Sequence, residues 1–492
     1  MTASERTLRI LAAGSVPVVL LMIAAAAKAP LASAVSPDPA AFSSFPGAPP
    51  PPPIHIAHPA PATAAASVRS VRFTGELDRS AVLRGSDGTV HVQVGIQSLH
   101  PEGQTNRVPT DLVVVLDRSG SMGGDKMLDA KAAASELVSQ LGAEDRMSLV
   151  TFAGGATVDW PLSPATPTNR AQWHGQLSRL SAGGGTEMQA GIDAGRGQLA
   201  AQAGRARRVI LISDGIPNQR EGLVERARSL SVAEVPMSAV GIGNDYDEGL
   251  MTALADAGTG NFYWATRGHD LARVFSDELG ASRDTVASGL AVHLDLPPGV
   301  SLVDAAGYPI EHDASGPMFR IGSLFAGQDR RFWLTLKVDA SLDVTSVDLG
   351  DLELTWRELD GRVGTVVADA GTVELTGDRA AFVASVDADK WGQSVVEDEY
   401  NRLRTGVSAA VQSGNRAEAV SVISAYKQRI GLLNAQIGSA SVTDNLVEVD
   451  ILEADVAAQF EGADQRSKQN IWAKTTRSSS YQSRRVGSAQ SY

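Results

Sequence analysis

The chain contains no cysteine in 492 residues. That excludes disulfides, a thiolate nucleophile and any zinc–thiolate site. It leaves the compartment open, because many exported bacterial proteins manage without disulfides. Histidine is scarce, with 8 residues, none of them near the strand ends described below. Positive charge is in deficit: 43 Lys and Arg against 56 Asp and Glu give a formal net charge of -13. A chain this acidic is not, as a whole, a nucleic-acid binder. Long apolar runs are absent after the first thirty residues. The single early run, 10–27, follows Arg6 and Arg9 and precedes Ala32-Ser33-Ala34, a small-x-small cleavage pattern. Residues 1–34 therefore read as a signal peptide, or as an uncleaved membrane anchor, and the chain as exported to the periplasm or the cell surface. No lipobox cysteine and no C-terminal sorting signal accompany it.

What is present is organised around Asp111-Leu-Val-Val-Val-Leu-Asp117-Arg-Ser119-Gly-Ser121-Met122. Leu112 to Leu116 is an unbroken, β-branched apolar run, the pattern of a central parallel strand buried on both faces. It stops at an acidic residue followed by Asp117-x-Ser119-x-Ser121. Ligands of open α/β sheets bind just past the carboxyl ends of strands. Alone, the pattern also fits an ordinary polar turn. Two further signals stand in order behind it: Gly183-Gly184-Gly185-Thr186 before a helical stretch, and the buried-strand run Val209 to Ile212 ending in Ser213-Asp214-Gly215.

With these three segments the sequence resembles a von Willebrand factor type A (vWA) domain. In that family an Asp-x-Ser-x-Ser loop opens a metal-ion-dependent adhesion site (MIDAS), a threonine supplies a third hydroxyl, and an aspartate completes the set. The resemblance implies a divalent-ion site at Asp117, Ser119, Ser121, Thr186 and Asp214. The residue types suit Mg2+, or Mn2+ or Ca2+, since hard cations take oxygen ligands. A cation held mostly by neutral hydroxyls stays electrophilic and favours a carboxylate from another molecule. The expected partner is thus a protein presenting an Asp or Glu side chain. The chain then reads as an adhesion or envelope-assembly protein. The alternatives are a scaffold in which the ion only staples loops, or a regulatory subunit of an ATPase-linked complex.

Enzymatic alternatives lack their motifs. A haloacid-dehalogenase-like phosphatase needs an aspartate where Ser119 stands. A P-loop needs a lysine that Gly183 to Thr186 does not have. No Gly-x-Ser-x-Gly elbow surrounds Ser119 or Ser121. The expectation is no enzyme.

The fold class expected is α/β, with a doubly wound, mostly parallel, Rossmann-like sheet over 108–283. Residues 35–67 are a Pro/Ala-rich linker, in which His55 and His58 read as solvated. Strand patterning over 68–105 and again over 288–376 suggests one β-sandwich, because neither stretch buries a face alone. Proteins like those it resembles carry such a module, with the vWA domain inserted in it. In 243–248 the acidic residues read as a turn and a first helical turn. Residues 380–462 take a helical period, with a stripe at Val396, Tyr400, Leu403, Val407 and Ala410 and a cap at Asn415. The Ser/Gln/Arg-rich tail, 463–492, is expected to be disordered.

Overall fold

A computed structural model describes residues 64–68, 70–100 and 107–486. The expected leader over 1–34 lies outside the described residues, as do the linker up to residue 63 with His55 and His58, and residues 487–492. No helix among the described residues is long and apolar enough to cross a membrane.

The central sheet has six strands in the order Thr259–Ala265, Met237–Ile242, Ala206–Ser213, Thr110–Asp117, Arg146–Phe152 and Ala156–Pro164. All neighbours are parallel except the last pair. Every residue of Thr110–Asp117 is buried. Strand side chains alternate between faces, so Leu112, Val114 and Leu116 enter one core with Met127, Leu137 and Phe275. Val113 and Val115 enter the other with Met188, Ile192 and Leu223. The helix Met188–Arg196 lies close on the sheet, as its small residues suggest. A Cβ on Gly191 would stand 2.6 Å from the Phe152 ring, and one on Gly195 2.7 Å from Val115.

This domain is inserted into a β-sandwich. One five-stranded sheet contains Val71–Leu77, Thr89–Ser98 and Asp329–Val338, and the other contains Thr285–Asp295, Gly316–Phe325 and Asp351–Glu358. The two segments flanking the insert pair directly, from Asp329↔Gln97 to Lys337↔Thr89. Ala81–Leu83 also joins Thr372–Thr376 in a small third sheet. Phe73, Val92 and Ile96 share one core with Leu290, Phe319 and Trp356.

The helical region follows, with Tyr400–Ser413, Arg416–Ile437 and Ala440–Gln459 as its longer members. Asn415 caps as expected: its side chain accepts from Glu418 N at 3.1 Å and donates to Glu418 Oε2 at 2.9 Å. Two expectations are corrected here. First, Val395–Glu399 is a π-turn, whose extra residue rotates the helix face. Val395, Asp398 and Glu399 are buried in consequence, and Val396 lies only half-buried. Second, the tail is not disordered from residue 463: Gln465–Val486 is a helix. Its polar composition hides a narrow buried stripe that includes Ala473 and Tyr481. It packs against Tyr400–Ser413 and the edge strand Thr259–Ala265. Lys474 Nζ sits 3.7 Å from the Tyr246 ring centroid, and the Tyr481 hydroxyl donates to Gly260 O at 3.2 Å.

The shared sandwich core makes Phe73→Ala a test of the insertion. It should cost about 3–5 kcal/mol in chemical denaturation, within the same transition that unfolds the 288–376 strands. Asp398 offers a second test. It is 3% exposed, its Oδ1 has no hydrogen-bond partner among the described residues, and its Oδ2 accepts from Arg402 and from Thr335 at 3.3 Å. Burial pushes this carboxyl up to about 6; Arg402 and His91 oppose the rise, and Asp304 and Glu399 add to it. The folded state therefore holds this proton more tightly than the unfolded one. The resulting stability is full below the ordinary carboxylate range and is lost as pH rises through about 6. Urea denaturation at about pH 4 and about pH 8 should show a smaller loss across that interval for Asp398→Asn than for the wild type.

Candidate metal centre

The chain leaves the central strand at Asp117 and runs one way to Arg146–Phe152, then crosses back to Ala206–Ser213 on the other side. The carboxyl ends of two adjacent strands, paired at Leu116↔Ile212, therefore open into a crevice where the strand order reverses. Asp117 and Asp214 stand side by side there. After Asp117 the backbone turns back on itself, and Ser119 N donates to Asp117 Oδ1 at 2.7 Å. Met122, wholly buried, pins the short 3-10 turn Gly120–Met122 to the core.

Thr186 is brought in by a zipper between loops. Gly183 N donates to Arg118 O at 2.7 Å, and Gly120 N donates to Gly184 O at 3.1 Å. Gly184 adopts φ +91, and a Cβ there would meet Ala153 at 3.2 Å, so this approach requires glycine. Asn218 N then donates to Thr186 O at 3.0 Å, which ties the threonine loop to the segment after Asp214.

All five expected residues meet in one place. Ser119 Oγ and Ser121 Oγ are 3.0 Å apart, and Ser121 Oγ donates to Asp214 Oδ1 at 2.8 Å. A Cβ built on Gly215 would lie 3.4 Å from Ser121 Oγ, 3.6 Å from Thr186 Oγ1 and 3.9 Å from Asp117 Oδ2. The missing side chain thus leaves a small space on the third loop, faced by oxygens from the other two. Asp117 and Asp214 are fully buried, whereas Gly120 and Ser121 are exposed, so the cluster opens to solvent on one side.

Burial raises the Asp117 carboxyl above its ordinary value. Hydrogen bonds from Ser213 and Ser119 pull it down, and the neighbouring Asp214 pushes it up. Two partners were not singled out from sequence. Ser213 Oγ donates to Asp117 Oδ2 at 2.6 Å, and the Lys126 ammonium sits on Asp214 Oδ2 and 3.4 Å from Ser121 O. The signal for Ser213 is its place just before Asp214. Lys126 gives only its position in the first turn of Asp125–Gln140.

Two carboxylates and three hydroxyls form a hard oxygen set that fits a divalent cation. With Lys126 counted, two carboxylates leave one uncompensated negative charge in a buried site, and a cation is what would relieve it. The ammonium already occupies the outer oxygen of Asp214, which marks the crevice as a place for positive charge. Among the described residues no histidine contacts the five, and no cluster of three or more His, Asp or Glu with metal-holding geometry occurs.

A family model described as the von Willebrand factor type A domain matches residues 111–277. Among solved structures, a von Willebrand factor type A protein from Catenulispora acidiphila superposes with a TM-score of 0.60 at 18% identity. That match covers 86% of this chain and 100% of the other. The ArnB paralog VWA2 from Sulfolobus acidocaldarius gives a TM-score of 0.52 at 16% identity, covering 84% and 99%. At these identities the likeness is one of fold. Among curated proteins, YfbK of Escherichia coli (strain K12) is 27% identical over 38% of this chain and 34% of its own length. The protein sll0103 of Synechocystis is 23% identical over 51% and 62%. Inter-alpha-trypsin inhibitor heavy chain H1 of Mesocricetus auratus is 27% identical over 34% and 19%. The matches thus span between about a fifth and three-fifths of these relatives' lengths. Family match and fold together show that residues 111–277 form a von Willebrand factor type A domain, set between the two halves of a β-sandwich.

Proposed function

We propose that this chain is an exported binding protein whose type A domain captures a partner's carboxylate through a divalent cation. Type A domains are in general protein-interaction and adhesion modules. The observation that carries the finer reading is the space beside Gly215, faced by Ser121, Thr186 and Asp117 and open to solvent at Ser121. Asp117 and Asp214 would supply the charge that holds Mg2+, Mn2+ or Ca2+, and the hydroxyls of Ser119, Ser121 and Thr186 would complete a set poor in negative charge. A cation so held keeps its appetite for an external carboxylate. Export rests on the apolar run 10–27 and Ala32-Ser33-Ala34. N-terminal sequencing of the protein recovered from cell envelopes should begin at residue 35, unless the segment is kept as an anchor.

Titration calorimetry of the full chain with Mg2+, Mn2+ and Ca2+ tests the centre. Asp117→Ala should abolish ion binding, and with it the capture of envelope proteins that wild type retains in Mg2+ but not in EDTA. Thr186→Ala, which removes a neutral ligand on a separate loop, should keep some ion affinity but weaken the partner at least about tenfold, or ~1.4 kcal/mol. Capture that is equal in EDTA would place recognition elsewhere on the chain.

Gly215→Ala separates space from charge. Its methyl group meets the neighbouring oxygens at ordinary contact distances, so thermal unfolding should be unchanged. The same methyl group fills the space an ion would use, so calorimetry should show a clear loss of ion affinity. Unchanged ion affinity would contradict the assigned position.

A further inference from the structure

We propose that the C-terminal helix Gln465–Val486 is a latch on the metal centre. Docked on the type A domain, it holds Lys126 on Asp214. Released, it lets that lysine go and raises the affinity of the centre for a cation. The latch acts on the cation site proposed above and rests on that reading.

The helix lies outside the type A domain and packs along Tyr400–Ser413. It meets the type A domain at two places. One is the edge strand Thr259–Ala265, where Tyr481 contacts Gly260 O and Phe262. The other is the segment 243–248. There Lys474 lies over the Tyr246 ring and donates to Tyr246 O at 3.3 Å, and Arg477 Nη1 stands 3.7 Å from Glu248 Oε2. This second contact is poorly satisfied. Glu248 is 3% exposed, yet neither of its carboxylate oxygens has a hydrogen-bond partner among the described residues, and the Tyr246 and Ser480 hydroxyls have none either. Burial pushes the Glu248 carboxyl up and the Lys474 ammonium down, and their mutual attraction offsets only part of that. Native folds rarely leave such groups stranded, and water would reach them once the helix moved away. A contact with little apolar area and many stranded polar atoms opens easily.

The segment carries this contact to the metal centre. Strand Met237–Ile242 pairs with Ala206–Ser213 as far as Gly241↔Ser213, which sets residue 243 beside Asp214. The Lys126 side chain lies against Gly243: a Cβ there would stand 3.3 Å from Lys126 Cε and 3.7 Å from its Nζ. The ammonium is thereby confined to Asp214 Oδ2. Gly243 is held by the edge strand that the helix covers. Its N donates to Ala265 O at 3.0 Å, and its O accepts from Trp264 Nε1 at 2.7 Å. Tyr246, under Lys474, fills the space over Gly241, where a Cβ would meet its ring at 2.4 Å. Release of the helix loosens strand and loop together, and Lys126 is then free to turn to solvent. An ammonium fixed on Asp214 repels an incoming cation; one that has swung away does not. Such coupling is reciprocal, so the cation also favours release.

The test uses the full chain and Mg2+. Lys474→Ala and Tyr481→Ala weaken the latch at different contacts, and circular dichroism checks that each variant is folded. Calorimetry should show Mg2+ bound about fivefold or more tightly by each than by wild type. Arg466→Ala, on the same helix but bonded to Gln412 O, should bind Mg2+ as wild type does. The chain has no cysteine, so Gly249→Cys and Thr475→Cys, both at exposed positions, put one spin label on each side of the contact. The distance between the labels should lengthen when Mg2+ is added and return in EDTA. No Mg2+ binding by wild type or by any variant would remove the cation site and the latch with it. Mg2+ bound equally or more weakly by both latch variants, or a label distance that Mg2+ leaves unchanged, would overturn the latch and leave the cation site standing.

Discussion

The structure depends on one strand, Thr110–Asp117, buried along its whole length. A strand covered on both faces tolerates no unpaired polar side chain in its middle, so its polar chemistry is confined to its ends. The two ends are treated differently. Asp111, at the beginning, is gripped by Arg146 Nε at 2.7 Å and Arg205 Nε at 2.7 Å. Asp117, at the end, is held only by neutral donors, the Ser119 amide and the Ser213 hydroxyl. Both carboxylates are buried, but the first has its countercharge built in and the second does not. That contrast separates a structural aspartate from one left able to take a cation.

The insertion of the type A domain is compatible with a continuous sandwich because its two ends meet. Val108 N donates to Arg283 O at 3.1 Å, so the chain enters and leaves at almost the same point. Asp145 locks this junction. It accepts from Thr110 N at 2.9 Å, Gly142 N at 2.7 Å and Arg283 Nη2 at 2.8 Å. These contacts hold its carboxyl below the ordinary range against the opposing effect of burial. A domain anchored this way leaves strand pairing across the insertion undisturbed, and the sandwich closes as if the insert were a surface loop.

The C-terminal helix answers a different constraint. Thr259–Ala265 is an edge strand of the central sheet, and an open edge is a template for unwanted pairing. The helix Gln465–Val486 lies against it, with Tyr481 satisfying the Gly260 carbonyl and packing edge-on to Phe262 at 5.9 Å. Lys474, buried over Tyr246, and Arg477, 3.7 Å from Glu248, extend the contact to the neighbouring loop and helix.

The sequence by itself determined whatever local pattern and chemistry determine. Continuous β-branched runs marked the buried strands, and the polar residues that follow two of them, with Thr186 after a glycine run, marked the five residues that meet at the crevice. Even the sandwich pairing was legible, because two half-sets of alternating strands cannot each bury a face alone. The tertiary structure decided what depends on partners distant in the chain. Lys126 reaches Asp214 only because two loops converge, and nothing in a lone lysine near a helix start announces it. Gln465–Val486 is polar enough to stay unfolded on its own and is a helix because two surfaces receive its narrow stripe. The π-turn at Val395–Glu399 turns Asp398 inward through one extra residue that no periodicity reveals. Burial and charge pairing are set by distance in space, and the sequence records only distance along the chain.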